Sequence, residues 1–360
     1  MLNTKIIGNK IVEARKKINI SQAQLAQRLF ISSQAVGKWE RGESMPDITT
    51  FIRLAEILGV DLNYFSDNFQ SAIPEETPIE PLAEKNEEPL SGKDEKKPSW
   101  NMSNGSWIDA DFSGLNNLHD KFSSSDIQKC KFIGSDISGL ILKGNNVDQC
   151  DFSDSNISGS KIQNSNLVNN IFKGCSLKET EFSKSYIKSC DFFGANLTGI
   201  NFLKRNHVDR CDFSTSDMSS SHILGSSLAN NQFIECSLKD AEFLESHTKG
   251  CDFSEADFSG VKFKSGAFIN NTVEGAVWNR TSFIGIQIED IVFDGRLEDC
   301  YFENSDFKRV TFQNSTLINT FFKNNNLKKI QFIDCHADRM TYEFLKNGKA
   351  DMAGITLLTS

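Results

Sequence analysis

The stretch CDFSEADFSGVKFKSGAFIN, residues 251–270, places phenylalanine at 253, 258, 263 and 268, a spacing of five. An α-helix repeats every 3.6 residues and a strand every two, so neither accounts for that interval. The pattern is not local. Stepping by five from Phe112 reaches Phe202, resumes with one added residue from Val208 to Phe293, and resumes with one residue lost from Phe302 to Tyr342. Of the 46 positions so defined, only Asn117 and Thr248 are not apolar, although the chain is 38% hydrophobic overall. Of its 29 phenylalanines, 22 fall on this slot.

The position two residues before each of these is also selected, and it is small: Ala110, Ser125, Ser135, Ser155, Ala195, Ala241, Ala256. All nine cysteines lie there, at 130, 150, 175, 190, 211, 236, 251, 300 and 335. A free cysteine packs as a small apolar side chain, so the cysteines are expected to line a core, reduced and without a metal. A redox-sensing thiol would need exposure and a depressed pKa, which an interior ladder does not offer. One large and one small inward position in each five residues describe one side of a four-sided coil. The 20-residue interval between Phe132, Phe152, Phe172 and Phe192 gives four sides of five. Asn170, Asn231 and Asn271 occupy the cysteine slot in other coils. Such units bury their apolar faces on one another by stacking.

At this point the sequence resembles the pentapeptide-repeat family, whose motif is roughly A-[DN]-[LF]-[ST]-x. It stands here as ADFSG at 110–114, SDISG at 135–139, ANLTG at 195–199 and ADFSG at 256–260. The resemblance implies an all-β right-handed quadrilateral β-helix. At about 4.8 Å per coil its length is on the order of 55 Å. The added residue falls in LKRNH at 203–207 and the lost one in DGRLED at 294–299, which read as corner bulges.

The N-terminal segment has a different period. In SQAQLAQRLFISSQAVGKWERG, residues 21–42, Ser21 can cap a helix whose apolar positions are Ala23, Leu25, Ala26 and Leu29. After a turn at Phe30 and Ile31, Ser32 can cap a second helix with Ala35, Val36 and Trp39 inward, stopped by Gly42. Ile7, Ile11 and Ala14 mark a helix before it. Ile48, Phe51, Ile52, Ala55 and Leu58 mark one after it, with Pro46 near its start. Short helices with two joined by a tight turn follow the helix-turn-helix plan.

This head resembles the phage-repressor (Cro/cI, XRE) helix-turn-helix family over residues 6–65, through LAQRL, SSQAVGKWERG and LAEILGV. The resemblance implies double-stranded DNA as partner. By position it assigns the DNA contacts to Gln22, Ser32, Ser33, Gln34, Gly37, Lys38 and Arg41. Gln22 would hold a phosphate, Ser33, Gln34 and Lys38 would face base edges, and Arg41 would approach the backbone. Gln can pair twice with adenine and Lys can reach guanine acceptors. Arg15 and Glu40 fall where the family has a buried ion pair, and Trp39 is taken as core.

Charge follows the same division. Net charge is −9, but residues 1–70 carry nine Lys/Arg against seven Asp/Glu, so only the head is set to meet an anionic partner. Residues 68–105 hold five of the six prolines and an acidic excess, and read as a disordered linker. Trp100 and Trp107 are expected to cover the first coil. The domains expected are therefore 1–67, an all-α helix-turn-helix head; 68–105, the linker; 106–345, the β-helix; and 346–360, a C-terminal cap or dimerisation tail.

The N-terminus lacks an apolar leader and no run of 18 apolar residues occurs, so the chain is expected to be cytoplasmic. The five histidines are scattered through the sequence and no phosphate loop is present. No enzyme, cofactor or metal is expected. The expected protein is a bacterial, homodimeric DNA-binding transcriptional regulator whose rod is a partner-binding or dimerising module. The alternative, implied by the pentapeptide family, is a rod that resembles duplex DNA and protects DNA gyrase or topoisomerase from inhibitors.

Overall fold

A computed structural model describes residues 4–29, 31–46, 48–60, 62–65, 102–116, 118 and 122–358. Residues 68–101 of the expected linker, Trp100 among them, lie outside these, as do Phe30, Asn117 and His119. The chain divides into two compact units, 1–106 and 107–360.

The first unit is helical: α1 Thr4–Lys17, α2 Gln22–Leu29, α3 Ser33–Glu40 and α4 Ile48–Leu58, then a 3₁₀ turn Leu62–Phe65. Its core is Ile7, Ile11, Ala14, Leu25, Ala26, Leu29, Val36, Trp39, Phe51, Leu54, Ala55, Leu58 and Phe65. Two residues depart from the expected stripes. Ala23 is exposed, because the α2 face that turns inward is centred on Leu25, Ala26 and Leu29. Leu54 is fully buried where the pattern had emphasised Ile52, which is only half-buried. The start of α2 is closed on both sides: Ser21 Oγ accepts the Gln24 N–H at 3.2 Å, and Gln24 Oε1 accepts the Ser21 N–H at 2.7 Å. This reciprocal capping satisfies two donors that a helix start leaves open. Helix α1 crosses α3 closely at Gly8, where a Cβ would stand 2.5 Å from the Trp39 carbonyl oxygen.

The second unit is a parallel β-solenoid of about 12 turns. Its residues pair twenty positions apart, as in Phe182 with Phe202 and Phe243 with Phe263. Two of the four sides carry three-residue strands, such as Lys161–Gln163 and Asn166–Val168. As far as Val277 the other two carry single bridges, such as Asp151 to Ile171 and Asn156 to Ser176, and beyond it Gln287–Glu298 and Asp306–Ile318 run as continuous strands. On the bridge sides the [DN] of the repeat turns the chain. There Asp151, Asp212, Asp252, Asp136, Asp217 and Asp257 each accept, through Oδ1, the N–H two residues on, at 2.9–3.1 Å. An acidic or amide side chain at that place closes the corner as an Asx turn.

The large slot forms aromatic columns. Phe112, Phe132, Phe152, Phe172, Phe192, Phe213, Phe233 and Phe253 stack with centroids 4.7–4.9 Å apart and planes within 14°. That spacing is the strand-to-strand distance of a sheet, so backbone and rings share one repeat. The column then skips one coil at Val273 and resumes on the same side in Phe293, Phe312 and Phe332. On neighbouring sides Phe258 stacks on Trp278, and the stack of Phe243 on Phe263 continues to Phe283. The coil from Phe253 to Phe268 has phenylalanine on all four sides. Its ring contacts, 253 to 258, 258 to 263, 263 to 268 and 268 to 253, run from 5.2 to 6.0 Å. The run of four at spacing five is thus one closed aromatic cross-section.

The small slot is buried, and polar side chains recur in it. Its backbone N–H and the carbonyl below it point along the axis, where side chains must satisfy them. Asn170 Oδ1 accepts the Cys150 N–H at 2.9 Å and its Nδ2 donates to the Val147 carbonyl at 2.9 Å. Asn231 repeats this on Cys211 and Val208, and Asn271 on Cys251 and Thr248. Thr248, the polar exception on the large slot, is 2% exposed, and its Oγ1 also receives Asn271 Nδ2 at 3.3 Å. All nine cysteines are free and buried. Burial pushes the thiols of Cys175, Cys236 and Cys300 up to about 12 and that of Cys251 up to about 11.

Both register changes are corners. At the first, Lys204 and Arg205 take consecutive positive φ of 42° and 61°, and pairing resumes with Ile187 opposite Val208. At the second, pairing shifts between Phe293 and Gly295, and Leu297, absent from the expected series, is fully buried on the large slot. The ends also differ from expectation. Trp107 lies within the strand Ser106–Ile108 and is buried beside Phe112, so it is part of the first coil and not a cover over it. Tyr342 is not on a coil. The chain leaves the repeat after Ala337 into α5, Arg339–Asn347, capped by Asp338 and anchored by Thr341 and Leu345. The strand Ile355–Leu357 then pairs with Cys335–Ala337.

The buried thiols make a prediction about pH. A thiol whose folded pKa lies above the unfolded value of about 8.5 favours the folded state fully below that pH, and loses this as pH rises toward 12. Each of Cys175, Cys236 and Cys300 then withdraws on the order of 2 kcal/mol at pH 10. The urea midpoint of the solenoid should fall between pH 8.5 and 10, and native thiols should label slowly at pH 8. Fast labelling of several thiols in the folded protein, or a midpoint flat in pH, is incompatible with the interior ladder.

Candidate nucleic-acid interface

Helices α2 and α3 meet through a buried polar join. Arg15 Nε donates to Glu40 Oε1 at 2.6 Å and Nη2 to Oε2 at 3.1 Å, with both side chains largely out of solvent. The hydrogen bond from Arg15 to Glu40 raises the arginine above its ordinary pKa, so the guanidinium stays charged. Arg15 Nη1 also donates to the Ile20 carbonyl at 2.7 Å, which ties the end of α1 to the start of α2. The ion pair assigned from the sequence is therefore a fastening between α1 and α3.

Gln22, at the first position of α2, joins the same network. Its Nε2 donates to Glu40 Oε2 at 2.6 Å. An amide nitrogen carries two hydrogens, so one remains for an outside acceptor. Ser32 is committed to structure: its Oγ accepts the Ala35 N–H at 3.2 Å as the cap of α3. Ser33, Gln34 and Lys38 are exposed along α3. Gly37 is buried, and a Cβ there would stand 3.1 Å from Arg41 Nη1 and 3.7 Å from Gln22 Oε1. The missing side chain lets Arg41 and Gln22 approach the same face of α3.

The result is an open concavity of about 390 Å³ lined by Gln22, Ser33, Gln34, Gly37, Lys38 and Arg41. Six of the seven residues assigned from the sequence are brought to one place, and Ser32 holds the helix that carries four of them. The rim offers an ammonium, a guanidinium, two amides and a hydroxyl, a set that hydrogen-bonds and neutralises an anion without a nucleophile or a metal cage.

Glu43 was not singled out in the sequence. It receives Arg41 Nε at 2.6 Å and Nη2 at 3.0 Å. The Arg41 guanidinium holds the Glu43 carboxyl below the usual carboxylate range, and the Lys38 ammonium adds to this. The only sequence signal for the pair was an opposite charge two residues away across Gly42.

Known proteins match the chain in separate parts. A helix-turn-helix family profile matches residues 11–65. Pentapeptide-repeat profiles match 125–202 and, as eight copies, 232–270, and a profile of the SV2A/B/C luminal domain matches 270–342. Repressor protein C2 of Salmonella phage P22 is 33% identical over 63 residues, covering 18% of this chain and 29% of that protein. The SPbeta prophage-derived uncharacterized HTH-type transcriptional regulator YonR of Bacillus subtilis (strain 168) is 34% identical over 59 residues, covering 16% of this chain and 55% of that one. The chain therefore spans less than two thirds of either relative. Among solved structures, HetL, a pentapeptide repeat protein from Nostoc sp. strain PCC 7120, is 15% identical with a TM-score of 0.35, over 64% of this chain and 90% of that one. QnrB1, a plasmid-mediated fluoroquinolone resistance protein, is 21% identical with a TM-score of 0.35, over 48% of this chain and 90% of that one.

The join under the concavity is testable. Glu40→Ala strips Arg15 and Gln22 of a shared partner and leaves a largely buried guanidinium unpaired. It should cost about 3 kcal/mol. Hydrogen exchange on the full chain should show α1 to α3 opening faster while the solenoid amides keep their protection. Unchanged exchange in α1 to α3 means the ion pair holds nothing together.

Proposed function

We propose that this chain, an XRE-type helix-turn-helix domain joined to a pentapeptide-repeat solenoid, is a sequence-specific DNA-binding transcriptional regulator. One observation carries the proposal: six of the seven residues that the resemblance assigned to DNA surround the concavity, and three of them, Ser33, Gln34 and Lys38, stand exposed on one helix. The likeness to a phage repressor and to an HTH-type transcriptional regulator supports it. In this reading α3 enters the major groove, with Ser33, Gln34 and Lys38 at base edges and Gln22 and Arg41 at phosphates. The protein acts as a homodimer on two half-sites about 34 Å apart. The solenoid serves as the dimerising or protein-binding module, and no step is catalytic. No described helix is long and apolar enough to cross a membrane, and a cytoplasmic site of action is part of the proposal.

The surface of the solenoid gives less support to an imitation of DNA. Basic side chains bridge to acids one coil away, as Lys173 to Asp191 at 3.1 Å, Lys239 to Asp257 at 3.2 Å and Lys323 to Glu303 at 2.8 Å. A mixed, paired surface fits a scaffold for another protein better than a continuous acidic stripe does.

The test is binding of full-length variants to a selected duplex and to random duplex across a salt series. Gln34→Ala should cost about 1–3 kcal/mol on the selected site and little on random DNA. Gln22→Ala should weaken both alike and reduce the salt slope by about one. If Lys38 reads a base, Lys38→Ala follows the first pattern. An unchanged ratio of selected to random affinity in Gln34→Ala removes α3 as the recognition helix.

A further inference from the structure

In the concavity, Arg41 is the group best suited to a phosphate, and its fork is already occupied. Glu43 Oε1 and Oε2 accept Nε at 2.6 Å and Nη2 at 3.0 Å, a two-point pairing. A phosphate takes an arginine through the same pair of parallel hydrogen bonds. Glu43 is not brought there by a loose loop. The Glu43 N–H reaches the Lys38 carbonyl at 2.9 Å and the Gly42 N–H reaches the Trp39 carbonyl at 2.9 Å. These two bonds form the Schellman end of α3, with Gly42 at φ 71° as its left-handed residue. Gly42 is also pressed against α1, since a Cβ there would stand 3.0 Å from Lys5 Cα. The backbone that carries Glu43 is therefore fixed to the helix that carries Lys38 and Arg41. The side of the guanidinium left over, Nη1, lies over Gly37 on the concave face.

We propose that Glu43 is a built-in competitor of the DNA backbone, a carboxylate that occupies Arg41 until a phosphate displaces it. The proposal rests on the concavity being a DNA face. Every duplex must exchange an internal anion for an external one at Arg41, so this arginine adds little to binding that has nothing else to gain. The competitor is weak, because both side chains are more than half exposed, at 60% and 51%. An exposed pair of this kind is worth a factor of a few in affinity. It therefore lowers the grip on DNA in general without abolishing binding where base contacts add to it. Glu43 becomes a determinant of how far phosphate contact alone can hold the protein.

The experiment measures the affinity of the full chain for a random-sequence duplex, in wild type, Glu43→Gln, Arg41→Ala and the double variant, over a salt series. Glu43→Gln keeps the size of the side chain and removes its charge. It should tighten binding about three- to fivefold near 0.1 M salt and steepen the salt dependence by about one counterion. In the Arg41→Ala background the same change should shift affinity no more than about twofold, because the competition needs the arginine. Weaker binding by Glu43→Gln would mean that Glu43 positions Arg41, and the proposal falls. Equal tightening with and without Arg41 would reduce Glu43 to a distant charge, and the proposal falls again. If wild type binds neither random nor selected duplex while its circular dichroism is that of the folded chain, the DNA reading fails and takes this proposal with it. Wild-type binding without coupling between the two residues removes this proposal alone.

Discussion

In the solenoid every side chain stands on the one a coil before it, and this single stacking distance governs what each slot accepts. Flat rings tolerate it, since phenylalanines 4.7–4.9 Å apart with planes nearly parallel meet face to face at the spacing of hydrogen-bonded strands. Small polar side chains tolerate it when they bond along the axis, as Asn170 and Asn231 do with the N–H and carbonyl groups of the coil before them. On the outside it sets lysines above acids, which is why most of the described surface ion pairs join residues 18 to 20 apart, such as Lys239 with Asp257 and Lys262 with Glu242. Those exposed pairs add little stability each. The interior columns carry the fold.

The helical unit is held together on other terms. Its core is small, and one ion pair with an attached amide spans α1, α2 and α3. The same amide belongs to Gln22, a residue of the concavity, so the fastening of the helices and the shape of the proposed DNA face are one object. Gly37 contributes by absence, and the Schellman end of α3 fixes the direction in which Arg41 and Glu43 leave the helix.

Much of this was legible in the sequence because a period of five admits few architectures. The slot assignments, the cysteine ladder, the Arg15 to Glu40 pair and the gathering of Gln22, Gln34, Lys38 and Arg41 all follow from spacing or from the resemblances it exposed. What escaped was local. Leu297 hid because a corner shortened by one residue put it four after Phe293, off a rule of five. Tyr342 kept the spacing by coincidence, while the cap at Asp338 had already started a helix. The acids that close corners as Asx turns are indistinguishable by composition from acids that face solvent. Glu43 was invisible because its partner lies two residues away, and only the turn at Gly42 makes them face each other.

The closed ring of Phe253, Phe258, Phe263 and Phe268 sets a limit on how this solenoid can change length. Between Phe112 and Phe253 one side is filled by phenylalanine in every coil, so a duplicated or deleted block of twenty residues lands like upon like. From Phe258 onward other sides carry rings as well, in Phe258 on Trp278 and in Phe263 on Phe283, while the first side holds Val273 for one coil and returns to phenylalanine at Phe293, Phe312 and Phe332. A block moved across that boundary would keep rings on the first side and change what stands on the others, setting rings over aliphatic side chains there. Coil number is freest to drift before the ring, and the ring keeps its place as a seam between coils that share one side and not the rest.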